Sequence, residues 1–458
     1  MGINIKLNSN ILSEKITEIL NKENINKIAK DCNFVIRERK LGGFEFLDML
    51  LFTHFNHKEL SLNDLSVQLK SRFGIIIKKQ SIDERFTYAA VTFFKTVLED
   101  VLNISIQRYN KIDFTEYEKV RIKDSTSFQL PESMKDKYPG SGGSGSKASI
   151  RIQFEYDLKD GKILDLNLYP YNNQDSKNAK ETIDNIGENE LIIRDLAYTA
   201  ISNLTKIERK KSYYLNRFNT TTNAYIYNKE KDKYEELDFA NIYSQMKSQN
   251  INLTEKEVYI GKDKFKTRII IELLPQDKYE QRIRKAKKQA VRKGRQPGKK
   301  YLSRIGLNIF MTNAEIESKN VRLLYTIRWQ IELMFKIWKS IGEIDKVGKM
   351  KVERFETSLY GKLIWIALNW HILWYVIVHY FHKKGINISP YKFYKTLKIT
   401  LIEHRTAVYS GTKKLSEFIS DLIIMSPNNH KSEKKKNSNN WSYEIFDRFQ
   451  NSRYIPNY

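Results

Sequence analysis

Near residue 118 the apolar residues change from the period of a helix to that of a strand, and no other feature of the chain constrains its fold as much. Before the switch they recur at helical spacing through Phe44, Leu47, Leu50 and Leu51, and again through Phe86, Ala90, Phe93, Phe94 and Val97. After it come VRIKDSTSF, IRIQFEYDL and KILDLNLYP, which alternate in period two, with turn chemistry at Lys159-Asp160-Gly161. The Gly/Ser run 140–146 reads as a flexible loop between the first two strands. A helical stretch at 175–186, the strand ENELIIRD, a helix near 200–211 and the strand SYYLNRF complete the run.

Three hairpin strands followed by helix, strand, helix and strand give an α/β fold whose element order matches an RNase H-like core, a mixed five-stranded sheet with helices. Residues 219–300 interrupt that order with the strand-like EVYIGKDKFKTRIIIELL and the basic run QRIRKAKKQAVRKGRQPGKK, and read as a β-rich insertion. Clustered Lys and Arg with Gly-Pro breaks suit a DNA-tracking loop better than a solvated surface helix. Strand signal resumes at RIGLNIFMTN, and one long helix is expected over 319–341. The expected division is a helical N-terminal DNA-binding domain (1–115), the core in two parts (116–218 and 301–345) around the insertion (219–300), and a helical C-terminal region with a tail (346–458).

Within the first segment, SLNDLSVQLKSRFGIIIKKQSIDERF holds two cap signals. Ser61 with Asp64 opens a helix that Gly74 ends, and Ser81 with Glu84 is expected to open a second. Two short helices on a tight turn are either a helix-turn-helix or an ordinary helical hairpin; Lys78, Lys79 and Arg85 lean towards DNA. The whole chain leans the same way: 79 Lys and Arg against 54 Asp and Glu leave a formal charge of +25, an excess that attracts polyanions. Cys32 is the lone cysteine, so an intrachain disulfide and a Cys-based zinc site are excluded. The N-terminus lacks the apolar stretch of a secretory signal, and a cytoplasmic, nucleoid-associated protein is expected. The run LIWIALNWHILWYVIVHYF (363–381) is long enough for a bilayer, but Asn369, His371 and His379 interrupt it. A buried core helix is expected there, and no membrane partner. The tail KSEKKKNSNN reads as a charged linker before an aromatic patch, WSYEIFDRF.

Three carboxylates stand out. Asp124 lies at the end of the first core strand and Asp195 directly after the fourth, where a carboxylate is costly unless paired, hydrogen-bonded or bound to metal; Asp195 as the cap of a following helix is the simpler alternative. Glu332 lies in YTIRWQIELMFKIWK with Tyr325, Arg328 and Lys339, at offsets 0, 3, 7 and 14. On a continuous helix, at about 100° per residue, the four fall within about 60° of arc. Leu324, Ile327, Ile331, Met334 and Trp338 take the opposite face. A solvated face with helical salt bridges explains Arg328 and Glu332 as well, and Tyr325 less well.

The spacing Tyr-x2-Arg-x3-Glu-x6-Lys below two strand-borne aspartates resembles the signature of the IS-four family of bacterial DDE transposases, as do Asp195-Leu-Ala-Tyr198 and TNAEIESKNVRLLYTIRWQIELMFKIWK, over about 30–425. The resemblance implies an enzyme of an insertion sequence that binds its terminal inverted repeats, cuts the ends by two-metal phosphoryl transfer and joins them to target DNA. It implies Asp124, Asp195 and Glu332 as catalytic residues and ligands of two Mg²⁺ ions, with Mn²⁺ as a substitute. Tyr325, Arg328 and Lys339 would be phosphate-binding, with Arg217 of SYYLNRF as a further candidate. A homodimer in a paired-end complex on double-stranded DNA is expected. Family members pass through a hairpin that uses a tryptophan of the insertion, whereas the six tryptophans here (329, 338, 365, 370, 374, 441) lie outside it, leaving Tyr301 or a neighbouring tyrosine for that role. The competing readings are a DNA-binding descendant without catalysis and another RNase H-like nuclease, such as a junction resolvase.

Overall fold

The computed structural model describes residues 9–37, 40–53, 61–104, 116–142, 146–218, 222–384 and 386–432. The tail from 433, with WSYEIFDRF, and residues 143–145 of the Gly/Ser loop lie outside them. In chain order the N-terminal helices are α1 (Ser9–Leu20), α2 (Lys22–Asp31), α3 (Gly43–Leu51), α4 (Leu62–Phe73), α5 (Lys79–Arg85) and α6 (Tyr88–Leu102). The strands β1 (Lys119–Gln129), β2 (Ser149–Asp157) and β3 (Ile163–Pro170) follow. Then come α7 (Asp175–Glu181), β4 (Glu190–Arg194), α8 (Ile201–Arg209) and β5 (Tyr213–Arg217). Next are β6 (Ala224–Asn228), β7 (Lys233–Glu236), α9 (Phe239–Ser248), β8 (Leu253–Ile260), β9 (Phe265–Leu273), α10 (Gln276–Arg292), α11 (Lys299–Arg304) and β10 (Leu307–Thr312). The chain closes with α12 (Ser318–Thr326), α13 (Trp329–Ser340), α14 (Val352–Lys384), α15 (Pro390–Ile399), α16 (Leu401–Tyr409) and α17 (Thr412–Asn429). The fold class is mixed α/β, and the chain divides into two compact units. One holds residues 1–115, 125–173 and 329–458; the other holds 116–124 and 174–328.

In the first unit the sequence signals of the N-terminal pair are realised at one end and shifted at the other. The Ser61 hydroxyl accepts from the Asp64 amide at 3.2 Å, the Asp64 carboxylate accepts from the Ser61 amide at 2.7 Å, and Gly74 closes α4 in the left-handed region at φ +68°. The second helix starts at Lys79, earlier than the Ser81 cap implied, so Ser81 lies inside it. Burial of Ile82 rather than a side-chain cap sets its frame.

The apolar run 363–381 lies within α14, whose most apolar window is 94% buried in the structure. This helix packs on α3, α6, α15 and α17, and His371 Nε2 meets the Val101 carbonyl at 2.9 Å. β2 pairs antiparallel with β3, and Phe154 of β2 lies edge-on to Trp338 of α13 at 4.9 Å between ring centroids. The turn between β2 and β3 needs its glycine. Gly161 sits at φ +72°, its carbonyl accepts from Trp370 Nε1 at 2.6 Å, and the Trp374 indole fills the space a Cβ would take.

In the second unit the strand order is β1-β4-β5-β10-β9-β8-β6-β7. The strands drawn from 219–300 thus do not form a sheet of their own; they extend this one. β1, β4 and β5 run parallel, and every residue of β4 is buried, as a central parallel strand requires. β10 returns antiparallel to both β5 and β9. On one face Ile192, Tyr214, Ile269, Ile271, Ile309 and Met311 form a core with Leu204 and Ile207 of α8 and Ile242 and Met246 of α9. The basic run is helical rather than a loop: α10 carries it as far as Arg292, with Ala286 and Ala290 on its buried side. Its Gly-Pro breaks fall only after the helix ends.

A buried ion cluster ties β1 to β4. Arg121 Nη1 donates to Glu190 Oε2 at 2.9 Å and Lys119 pairs with the other carboxylate oxygen. Burial alone would raise the Glu190 pKa, but the bonds from Lys119 and Arg121 outweigh it and hold it below the ordinary value. A depressed carboxylate pKa contributes stability above the unfolded-state pKa, about 4.3, and loses it as pH falls through the folded value. The urea midpoint of the native chain is therefore expected to drop, as pH falls below the unfolded-state value of about 4.3, more steeply than that of Glu190→Gln. Parallel pH profiles would refute this.

Candidate active site

The register of the parallel strands places three of the expected site residues in one row. Lys123 faces Arg194 across β1 and β4, and Arg194 faces Asn216 across β4 and β5. One residue further on, Asp124, Asp195 and Arg217 continue the same row. Arg217 in turn faces Phe310 of β10. Neighbouring strands lie about 4.8 Å apart, so the two aspartates stand side by side and the guanidinium base is one strand further on. The alternation of the strands turns this row to the face opposite the α8/α9 core. Asp195 remains extended (φ −81°, ψ 170°) and leads into a single 3₁₀ turn, Leu196–Tyr198. Its side chain makes no cap bond to that turn, so the simpler capping role does not explain it.

Two of the motif residues reach the same row. Arg328 Nη1 donates to Asp124 Oδ2 at 2.6 Å, with the guanidinium 8% and the carboxylate 17% exposed. The Tyr325 hydroxyl donates to Asp195 Oδ1 at 3.3 Å while its ring lies 5.3 Å from that of Phe310. Burial pushes the Tyr325 phenol well above its ordinary pKa, and Asp195 adds to this against the opposing charges of Arg328 and Arg217. The phenol is therefore a proton-bearing donor throughout the neutral range.

The expected single helix over 319–341 is divided. α12 ends at Thr326 and α13 begins at Trp329, and between them Ile327 and Arg328 donate to Leu324 and Tyr325 in the tighter i→i−3 pattern. The four-residue stripe thus does not lie on one continuous helix. Tyr325 and Arg328 belong to the unit that carries both aspartates, Glu332 and Lys339 to the other. Glu332 stands in the first turn of α13 and is partly exposed. Lys339 Nζ donates to the Ser127 carbonyl on β1 at 2.9 Å; burial lowers its pKa, with Asp345 opposing. The apolar partners assigned to the opposite face, Leu324, Ile327, Ile331, Met334 and Trp338, are all buried.

Among the described residues no three His, Cys, Asp or Glu side chains are gathered closely enough to hold a metal ion. What the row offers is a pair of hard oxygen donors on adjacent strands, which fits a divalent cation such as Mg²⁺ in kind. Arg328 supplies the positive charge at Asp124. Sequence reasoning passed over Asn308, which accepts from Arg217 Nη2 at 3.1 Å; an asparagine inside an apolar strand carries no local signal of such a role.

Residues 117–370 match the family model described as a transposase DDE domain. The chain is 29% identical over 457 residues, 95% of each chain, to the transposase for insertion sequence element IS231E of Bacillus thuringiensis subsp. finitimus. It is also 31% identical over 379 residues to the transposase for insertion sequence element IS1151 of Clostridium perfringens, covering 78% of this chain and 79% of that one.

Proposed function

Because the chain belongs to the DDE transposase family, we propose that it binds the terminal inverted repeats of an insertion sequence, cuts the DNA at their ends and joins the ends to a target. In this reading β1 to β5 and the helices between them are an RNase H-like core, and 219–300 is an insertion that extends its sheet. Asp124, Asp195 and Glu332 are the ligands of two Mg²⁺ ions, whose chemistry is to make an attacking oxygen nucleophilic and to stabilise the departing one. In the cut, a water oxygen bonds to the phosphorus, the bond from phosphorus to the 3′ oxygen breaks, and a free 3′-hydroxyl is left. In the joining step that hydroxyl attacks a target phosphodiester, whose own 3′ oxygen departs.

The residues of the chain position the phosphates. Arg328 and Lys339 balance phosphate charge near the cut, and Arg217 does so one strand away. Tyr325 donates its proton-bearing hydroxyl to a phosphate oxygen. A hairpin intermediate, with a tyrosine such as Tyr301 stacking on an unpaired base, belongs to the same proposal, as does a homodimer that pairs two ends. The pair α4 and α5 is proposed as a DNA-reading helix-turn-helix.

The observation that supports this reading best is the row Asp124–Asp195–Arg217 met by Tyr325 and Arg328. The test is to incubate the full chain with labelled inverted-repeat duplex, a target plasmid and Mg²⁺. Cleaved ends joined to plasmid are expected, and neither product with EDTA. Cleavage without joining would reassign the chain to a nuclease, and binding without cleavage to a DNA-binding descendant.

A further inference from the structure

The face of the sheet that carries the aspartates continues into a second, basic cluster away from the carboxylates. Its hub is Asn308 on β10. The Asn308 Oδ1 accepts from Arg217 Nη2 at 3.1 Å and from Arg282 Nη2 at 2.6 Å, and its Nδ2 donates to Glu272 Oε2 on β9 at 3.1 Å. The other oxygen of Glu272 pairs with Arg322 of α12 at 2.8 Å. Three guanidiniums thus share one carboxylate and one amide. Burial, and then the like charge of Arg217, lower the Arg282 pKa, with Glu272 opposing.

A purely structural role accounts for part of this. Arg282 also donates to the Ile305 and Leu307 carbonyls at 3.1 and 3.2 Å and so fastens α10 to the start of β10. Fastening elements does not by itself require the further positive charge that Arg217 and Arg322 bring to the same hub, where three guanidiniums meet a single carboxylate. Arg322 is exposed, with 56% of its side chain open to solvent. From Arg282 the helix α10 then presents Arg284, Lys285, Lys288 and Arg292 on its exposed side.

We propose that Arg217, Arg282 and Arg322, set by Asn308, form a site for the phosphodiester backbone of duplex DNA that carries the duplex from the aspartate row onto α10. Rigid, forked guanidiniums suit phosphate oxygens, and backbone contacts fix position without reading sequence. Glu272 holds Arg322 in place of a phosphate until DNA arrives. This inference rests on the DNA-acting function proposed above and adds the path of the strand. Asn308 is a positioning residue in it, acting through the arginines.

The test measures binding of the full chain to fluorescent duplexes by anisotropy in EDTA, where no cleavage intervenes, across a salt series. One duplex carries the inverted repeat and the other a scrambled sequence. Arg322→Gln and Arg217→Gln are each expected to make the slope of log K against log salt shallower by about 0.9, on both duplexes alike. Glu272→Gln, which releases Arg322, is expected to tighten binding to both. Lys413→Gln on α17 serves as the control for loss of one charge, and matched melting midpoints show that each variant is folded. Unchanged slopes in folded arginine variants, while the native chain binds both duplexes, would overturn the site and leave the transposase reading intact. A slope loss confined to the inverted repeat would replace backbone contact by base reading and overturn it too. Failure of the native chain to bind either duplex would sink both proposals.

Discussion

Asp195→Asn is expected to lower the rate of Mg²⁺-dependent strand cleavage by about 10³-fold or more. The substitution keeps the size of the side chain and a carbonyl oxygen that can accept from Tyr325, so the row Asp124–Asp195–Arg217 keeps its packing. What it removes is the negative charge proposed to hold a cation at the reacting phosphate. Metal-assisted charge stabilisation is worth several kcal/mol, and each 1.36 kcal/mol is about a factor of ten. Asp124→Asn and Glu332→Ala are expected to behave alike in single-turnover cleavage of inverted-repeat duplex, with binding in EDTA nearly unchanged. Cleavage by any of the three within tenfold of the native rate would remove that residue from the proposed ligand set. For Glu332 such a result would carry particular weight, because its place in the set rests on the motif spacing.

The largest expected loss of stability is at Asp48. This carboxylate is fully buried on α3 and binds two arginines: Arg405 Nε of α16 at 2.6 Å and Arg72 Nη1 of α4 at 3.1 Å. Arg72 also donates to the Phe52 carbonyl at 2.7 Å. Asp48→Ala strands two largely buried guanidiniums without their counter-charge, and removing one partner of a buried pair costs about 3–5 kcal/mol. The urea midpoint should fall accordingly. Replacing all three groups by apolar ones (Asp48→Leu with Arg72→Met and Arg405→Met) should recover much of the loss, because the desolvation cost disappears along with the attraction. A loss below about 1 kcal/mol for Asp48→Ala would mean that water reaches the arginines.

Local chemistry was legible in the sequence where one residue type has one cheap use. The box Ser61/Asp64, the left-handed Gly74, the Asp160-Gly161 turn and the period-two strands all appear where their patterns put them. The burial of the apolar run from Leu363 to Tyr380 followed from its interrupting polar residues. Features set by tertiary partners were not legible. The break at Ile327–Arg328 has neither Gly nor Pro; it coincides with the pairing of Arg328 to Asp124, some two hundred residues upstream. The basic run gives a poor apolar pattern, yet α10 is held by two buried alanines, by Tyr279 against Tyr243 of α9 and by the bonds of Arg282 to the start of β10. Of the candidate site, the place of Asp195 directly after β4 was legible; Asp124, expected at the end of its strand, lies in the middle of β1, which runs on to Gln129 because the period-two pattern continues past the carboxylate. The role of Asn308 depends on which strand lies beside β5, and no spacing along the chain reports that.

The partners of α14 have a consequence for how the chain is made. α6 ends at Leu102, and the helix it packs against begins at Val352, about 250 residues later. At roughly 5–20 residues per second, the apolar faces of α3 and α6 leave the ribosome roughly 12–50 s before their cover exists. The N-terminal helices of each nascent chain thus wait with Phe94 and Leu50, which face Gly361 of α14 in the finished fold, open to other chains, and premature termination anywhere before α14 yields a product that cannot close its core. Yield from the ribosome, rather than the equilibrium stability of the finished fold, is then the quantity most sensitive to chaperone supply.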